Sequence, residues 1–201
     1  MGRPLSSLTR RITLDSELLD ATTRLVRVLQ ERYGGWEGVK QLGDTPERIA
    51  RMYQEFCWSS VRIEEDLEQQ FRVFEQAYNE MLVIRPIDVW TLCPHHLLPC
   101  HFKVTVGYIP NGRVLGLSKF ARIADILARR PVLQEQYSTE LADLLMAKLE
   151  PKGVAVHVEG SHGCMTARGV KQHSEVITST IRGVFESDSS TRQEFFAICR
   201  S

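Results

Sequence analysis

No stretch of this 201-residue chain comes near the run of about 18 apolar residues that crosses a bilayer. Its opening segment, MGRPLSSLTRR, has no apolar core, which excludes a signal peptide and makes the cytoplasm the expected address. An excess of one charge is also lacking: 25 Lys and Arg face 25 Asp and Glu, for a formal net charge of zero. Proteins that coat nucleic acid or anionic membranes are visibly basic, so neither partner is expected. Any bound anion must be held by a local basic cluster. Cysteine is sparse and odd in number, at Cys57, Cys93, Cys100, Cys164 and Cys199. In a cytosolic chain such thiols are more often buried, metal-bound or nucleophilic than paired as disulfides. Internal repeats and low-complexity linkers are absent. What is present is ordinary globular composition, and a chain long enough for one substantial core.

The first fourteen residues read as a flexible tail. Asp15 then caps a helix carrying Leu18, Leu25, Val28 and Leu29, ended by Gly34 and Gly35. Thr45-Pro46 opens a second helix, with Pro at its first position, marked by Ile49, Met52, Tyr53 and Phe56. Ile63, Leu67, Phe71, Phe74 and Tyr78 predict a third. Residues 15–80 therefore read as an N-terminal helical extension. From Met81 the pattern changes. MLVIRPIDVWTL reads as a strand interrupted at Pro86, and FKVTVGYI as a second strand closed by Pro110-Asn111-Gly112. Ser118 opens a helix with Phe120, Ile123, Ile126 and Leu127, broken at Pro131; another runs from Gln134 to Leu149. Val154, Val156 and Val158 mark a half-buried strand, Val170 to Val184 contains another, and Ser189 to Cys199 is a final helix. Strand pairs separated by helices predict an α+β domain over 81–201, with an antiparallel sheet and helices on one face.

Chemistry concentrates in Cys93-Pro94-His95-His96, where a thiol and two imidazoles fall within four residues. These are zinc donors in type, and Cys93 and His96 can face one ion from a single turn. His162-Gly163-Cys164 follows a strand, and Cys164 can add a third ligand if the two strand ends adjoin. Three ligands would leave a fourth tetrahedral position for water, whose pKa zinc lowers towards about 7. His95 and His162 would stand by as proton carriers. A structural metal site, or plain buried thiols, is the competing reading of the same spacing. Cys57, Cys100 and Cys199 read as ordinary thiols, and His101, His157 and His173 as residues outside any site. Ser118-Lys119-x-x-Arg122 opens a helix, where backbone N–H groups favour an anion. With Arg168 and Arg48 these residues can make a phosphate clamp. Solvated helix faces are the alternative, and Arg129 and Arg130 are assigned to that.

The chain resembles the GTP cyclohydrolase I family. The matching strings, in order, are D-T-P-E-R-I-A-R-M from Asp44, C-P-H-H-L-L-P from Cys93 and G-Y-I-P-N-G-R-V-L-G-L-S-K from Gly107. A-R-I from Ala121, R-R-P-V-L-Q-E-Q from Arg129, H-G-C-M-T-A-R-G-V from His162 and T-S-T-I-R-G-V-F from Thr178 follow. The resemblance implies a T-fold enzyme that converts GTP and water to 7,8-dihydroneopterin triphosphate and formate, feeding folate or a tetrahydrobiopterin-type cofactor. It implies a catalytic Zn2+ on Cys93, His96 and Cys164, and proton transfer by His95 and His162. It assigns Ser118 to the ribose, Gln134 and Glu135 to the substrate with Glu135 on guanine, and Lys119, Arg122, Arg168 and Arg48 to the triphosphate. It further implies a toroidal homo-oligomer, a decamer, with active sites between subunits. One departure stands out. The family motif is usually C-E-H-H, and Pro94 here replaces the glutamate. Two alternatives follow: an enzyme that stops at the ring-opened formamide, or a non-catalytic zinc- and nucleotide-binding protein. The nitrile reductases of the same fold are a third option.

Overall fold

The computed structural model describes residues 13–34 and 40–201. Most of the expected N-terminal tail, and Gly35, lie outside them. The chain divides at Glu55–Phe56 into two compact units.

In the first unit, helix α1 spans Ser16–Tyr33, and the Asp15 carboxylate accepts the Leu18 N–H at 2.9 Å, the cap expected from sequence. Gly34 ends the helix with φ of 60°, a conformation glycine adopts without steric cost. A 3-10 turn at Lys40–Asp44 runs directly into α2, Thr45–Phe56, so Thr45 is already helical rather than a cap. The Thr22 hydroxyl donates to the Pro46 carbonyl at 2.9 Å and ties α1 to the start of α2.

The second unit opens with α3, Ser60–Glu68, capped by the Ser59 hydroxyl, which accepts from Arg62 N–H. The apolar spacing predicted this helix to reach Tyr78, but it stops at Gln69. The Gln70 side-chain amide turns back onto the Asp66 carbonyl at 2.9 Å. Val73–Glu75 then forms strand β1, paired antiparallel with β4, Arg113–Leu115. Ladder bonding between β-branched and aromatic residues outweighs the helical spacing of Phe71, Phe74 and Tyr78. Ile63 and Leu67 are buried in the core of this second unit, so the division between units falls well before residue 80.

The main sheet is antiparallel, in the order β2 (Leu82–Leu92), β3 (Pro99–Ile109), β5 (Gly153–His162), β6 (Val176–Gly183). The interruption expected at Pro86 is a register shift between Ile84 and Ile87. Along β3 the residues Cys100, Phe102, Val104, Val106 and Tyr108 face one way, and along β5 Val154, Val156, Val158, Gly160 and His162 face with them. Helices α4 (Leu117–Leu127) and α5 (Gln134–Leu149) lie across this face, the layout expected of a T-fold domain. The Tyr137 hydroxyl donates to the Ala124 carbonyl at 2.9 Å, joining α5 to α4 inside the core. Each fully buried Phe or Leu there stabilises the domain by about 1.5–3 kcal/mol. The other face is covered at one end by the C-terminal pair α7 (Val184–Ser187) and α8 (Ser189–Arg200). Phe195 of α8 packs on Ala155 and directly over Gly107, where a Cβ would stand 2.6 Å from its ring. That second cover was not visible in the strand alternation, because Ala155 and Gly107 carry too little side chain to mark a buried face.

Candidate active site

β2 runs out at Leu92 into a turn that returns to β3 at Pro99. Within the turn the Cys93 carbonyl accepts from His96 N–H at 3.3 Å and Leu97 N–H at 2.8 Å, while Cys93 N–H donates to Leu98 O at 2.9 Å. These bonds fold Cys93 and His96 towards each other, with Cys93 Sγ 3.9 Å from His96 Nδ1. Cys164 arrives from the far end of β5, in the short helix α6, Gly163–Thr166. Gly163 permits that approach: a Cβ there would meet the Pro99 carbonyl at 2.7 Å. One donor atom from each of Cys93, His96 and Cys164 lies within 4.8 Å of the other two. Around a tetrahedral zinc, donors at about 2.3 Å (S) and 2.0–2.1 Å (N) stand roughly 3.6–3.8 Å apart. Donor types and spacing therefore suit such an ion, and these three residues could hold it.

His162 sits beside this trio. Its Nε2 lies 2.8 Å from Gln134 Oε1, and its Nδ1 lies 3.3 Å from Cys100 Sγ. The Gln134 amide nitrogen also faces the carbonyls of Val158 (3.0 Å) and Val176 (2.8 Å) and the Thr178 hydroxyl (3.3 Å). Gln134 is buried, and its amide is bonded within the protein. Its neighbour Glu135 is exposed at the start of α5 and close enough to His162 to favour its protonated form. Burial acts more strongly and lowers the His162 pKa overall. His95 is exposed, with Nδ1 3.9 Å from Cys93 Sγ. Arg168 is exposed and its guanidinium meets His96 Nε2. Two of these thiols, Cys100 and Cys164, are held in the protonated direction. Burial, with Cys93 and Cys164 nearby, pushes Cys100 up to about 12. Burial and the Cys93 thiol raise Cys164, and Arg168 pulls the other way. A bound divalent cation would reverse that sign for its own ligands.

The remaining expected site residues lie elsewhere. Ser118, Lys119 and Arg122 are at the N-terminal end of α4, which follows β4 and begins beside Tyr108; α4 ends near Leu92, where Arg130 O accepts from the Thr91 hydroxyl at 2.7 Å. Cys100 and Tyr108 are eight residues apart on one strand, about 26 Å. One chain thus carries Cys93, Cys100, Cys164 and the histidines beside them at one end of the sheet and this basic group at the other. The Lys119 ammonium donates to Gln70 Oε1 at 3.1 Å, and desolvation, Arg122 and Arg72 lower its pKa. Arg48 belongs to the first unit, on α2, paired with Asp44 at 3.3 Å.

A family model for GTP cyclohydrolase I matches residues 20–200. The chain belongs to the GTP cyclohydrolase I family. Among its relatives, the GTP cyclohydrolase 1 of Brevibacillus brevis is 43% identical over 185 residues, covering 90% of this chain and 97% of that protein. The GTP cyclohydrolase 1 of Carboxydothermus hydrogenoformans is 44% identical over 176 residues, covering 86% and 90%. That of Dictyostelium discoideum is 41% identical over 172 residues, covering 81% and 74%.

Within this GTP cyclohydrolase I family member, sequence reasoning missed Cys100, Arg72 and the inward role of Gln134. The signal for Cys100 was available. It precedes Phe102, Val104 and Val106 at period two, which places it on the core face, and it pairs in register with His162. His101, next along, points to the opposite face, stacked on Trp90 at 4.6 Å and bonded to Asp88 at 3.0 Å. Arg129 and Arg130, expected on a solvated helix face, lie beyond the end of α4, partly buried and paired with Asp125 and Glu140.

Proposed function

We propose that this chain, an enzyme of the GTP cyclohydrolase I family, hydrolyses GTP to 7,8-dihydroneopterin triphosphate and formate. The observation that carries the reading is the convergence of Cys93, His96 and Cys164, with donor atoms within 4.8 Å, beside His95, His162 and Glu135. These three residues would hold Zn2+, which supplies Lewis acidity and brings the pKa of water towards about 7 when bound. Glu135, exposed at the start of α5, accepts hydrogen bonds from N1–H and the exocyclic amine of guanine, and so orients C8 towards the thiol end. His162 and His95 move protons at the purine ring nitrogens as the imidazole ring is hydrated and opened. A second hydrolysis releases C8 as formate. Ser118 acts at the ribose, whose opening and Amadori rearrangement precede closure of the pterin ring. Lys119, Arg122, Arg168 and Arg48 bind the triphosphate, with zero net charge leaving the task to local cations.

The active form in this reading is a toroidal homo-oligomer, a decamer, that shares sites between subunits. The separation of the thiol end from Lys119 within one chain supports sharing, since one GTP cannot span about 26 Å of strand. Among the described residues no helix is long and apolar enough to cross a membrane, and the proposed address is the cytoplasm. Incubating the zinc-loaded protein with GTP and chromatographing pterins and formate tests the reading. Both products are expected. A ring-opened formamide without pterin would instead favour the truncated reaction that Pro94 raises, and neither product would leave a non-catalytic zinc- and nucleotide-binding protein.

A further inference from the structure

Two carbonyl oxygens fix the Gln134 amide. Those of Val158 and Val176 can only accept, so the –NH2 group must face them, and Oε1 must face His162. His162 Nε2 therefore carries a proton and donates it to Oε1 at 2.8 Å. Gly160 makes room for this contact, since a Cβ there would lie 1.9 Å from Oε1 and 3.0 Å from Nε2. In the neutral ring Nδ1 is then a lone pair, and the group facing it is the Cys100 thiol at 3.3 Å. The other acceptor near that thiol, Leu98 O, is farther at 3.8 Å and already accepts from Cys93 N–H. Cys100 is 1% exposed and is outside the Cys93, His96 and Cys164 trio.

We propose that Cys100 is a positioning residue for His162: its S–H donates to Nδ1 and, opposite the Gln134 anchor at Nε2, fixes the ring plane. The proposal rests on His162 acting as a proton carrier. The Nε2 contact is anchored through Gln134 to the sheet and the thiol holds the opposite edge of the ring, so loss of the thiol donor frees the imidazole to tilt.

The test uses zinc-loaded protein labelled with 15N-histidine, studied by magic-angle-spinning NMR. Lines of His162 are those lost in His162→Ala. Wild type should show a protonated Nε2 and a hydrogen-bonded Nδ1. Cys100→Val, similar in size but without a donor, should move the Nδ1 line towards an unbonded lone pair and lower kcat roughly ten-fold with KM little changed. Cys100→Ser restores a donor and should recover both the line position and most of kcat. A wild-type ring protonated at Nδ1, or a Nδ1 line unmoved in Cys100→Val, overturns the thiol contact. A moved line with unchanged kcat overturns its role in the reaction. An unchanged kcat in His162→Ala would instead defeat the reading of His162 as a proton carrier, and the proposal with it.

Discussion

The two ends of the main sheet solve opposite problems. At the end of β3 that carries Cys100, thiols and imidazoles are packed into turns with their backbones bonded, and Cys93 and Cys100 are nearly inaccessible. At the other end, Lys119, Arg122 and Arg72 crowd together near the start of α4, and their charges oppose one another. The first end stores donor atoms that a metal can organise. The second stores positive charge that is uncomfortable until an anion neutralises it. Within one chain the thiol cluster and these cations lie at opposite ends of the sheet. The site proposed above joins the two kinds of end from different copies of the chain.

The largest expected effect strikes the thiol end. Cys164→Ala should take zinc content and GTP turnover to background, while the circular dichroism spectrum stays that of the folded protein. Cys164 lies in a four-residue helix outside the main sheet and is only partly buried, so its loss costs little packing. Full zinc occupancy in this variant, by metal analysis, would break the assignment of that end.

The comparison itself is tested by mixing. Cys93→Ala destroys one end and Lys119→Ala the other, and each variant alone should be inactive or nearly so. If every site takes its thiol end from one copy and its basic end from another, a random equal mixture regains roughly one quarter of wild-type activity. Sites built within single chains would regain none. Reassembly from dissociated subunits, followed by assay of demonstrably mixed oligomers, distinguishes the two.

A smaller effect concerns selectivity. Glu135 offers an exposed carboxylate at the thiol end, and removing a charged hydrogen-bond partner costs about 1–3 kcal/mol. Glu135→Ala should bind GTP about 5- to 150-fold more weakly and lose preference over ATP. Calorimetry with the zinc-loaded protein reads both, and an unchanged preference would remove guanine recognition from this residue.

How far the sequence reveals such a molecule differs between its levels. Helix α4 and the alternating core of β3 and β5 were legible because a period of 3.6 or 2 survives in the residues themselves. Strand β1 was not, since Phe71, Phe74 and Tyr78 also fit a helix, and only pairing with Arg113–Leu115 decides. Donor type and spacing made the approach of Cys164 to Cys93 and His96 conditional on the strand ends adjoining, which they do, and the family resemblance named the same three. The internal bonds of Gln134 were not legible, because they are made to carbonyls of β5 and β6 that are distant in sequence. The separation of Lys119 from Cys93 was invisible for a related reason: the strings lie close along the chain, but β3 carries them apart.

The smallest effect belongs to Pro94. A lost carboxylate beside a metal typically costs about 10–100-fold in affinity or activity, which argues that Pro94→Glu should improve the enzyme. The turn argues otherwise. The Cys93 carbonyl accepts from His96 N–H, so Pro94 occupies the second position of a four-residue turn, where its fixed φ is already the required one. Pro94 is exposed, and its missing N–H leaves no buried orphan. Replacing proline at a compatible turn position costs about 0.4–1 kcal/mol through the freedom gained by the unfolded chain. If that freedom appears as mobility of Cys93 against His96, zinc affinity in Pro94→Glu should fall about 2- to 5-fold. Pro94→Ala should fall as far, because both lose the same restraint. Chelator competition on the three proteins gives the affinities directly. A Pro94→Glu affinity above that of wild type, with Pro94→Ala below it, would show that the carboxylate outweighs the turn.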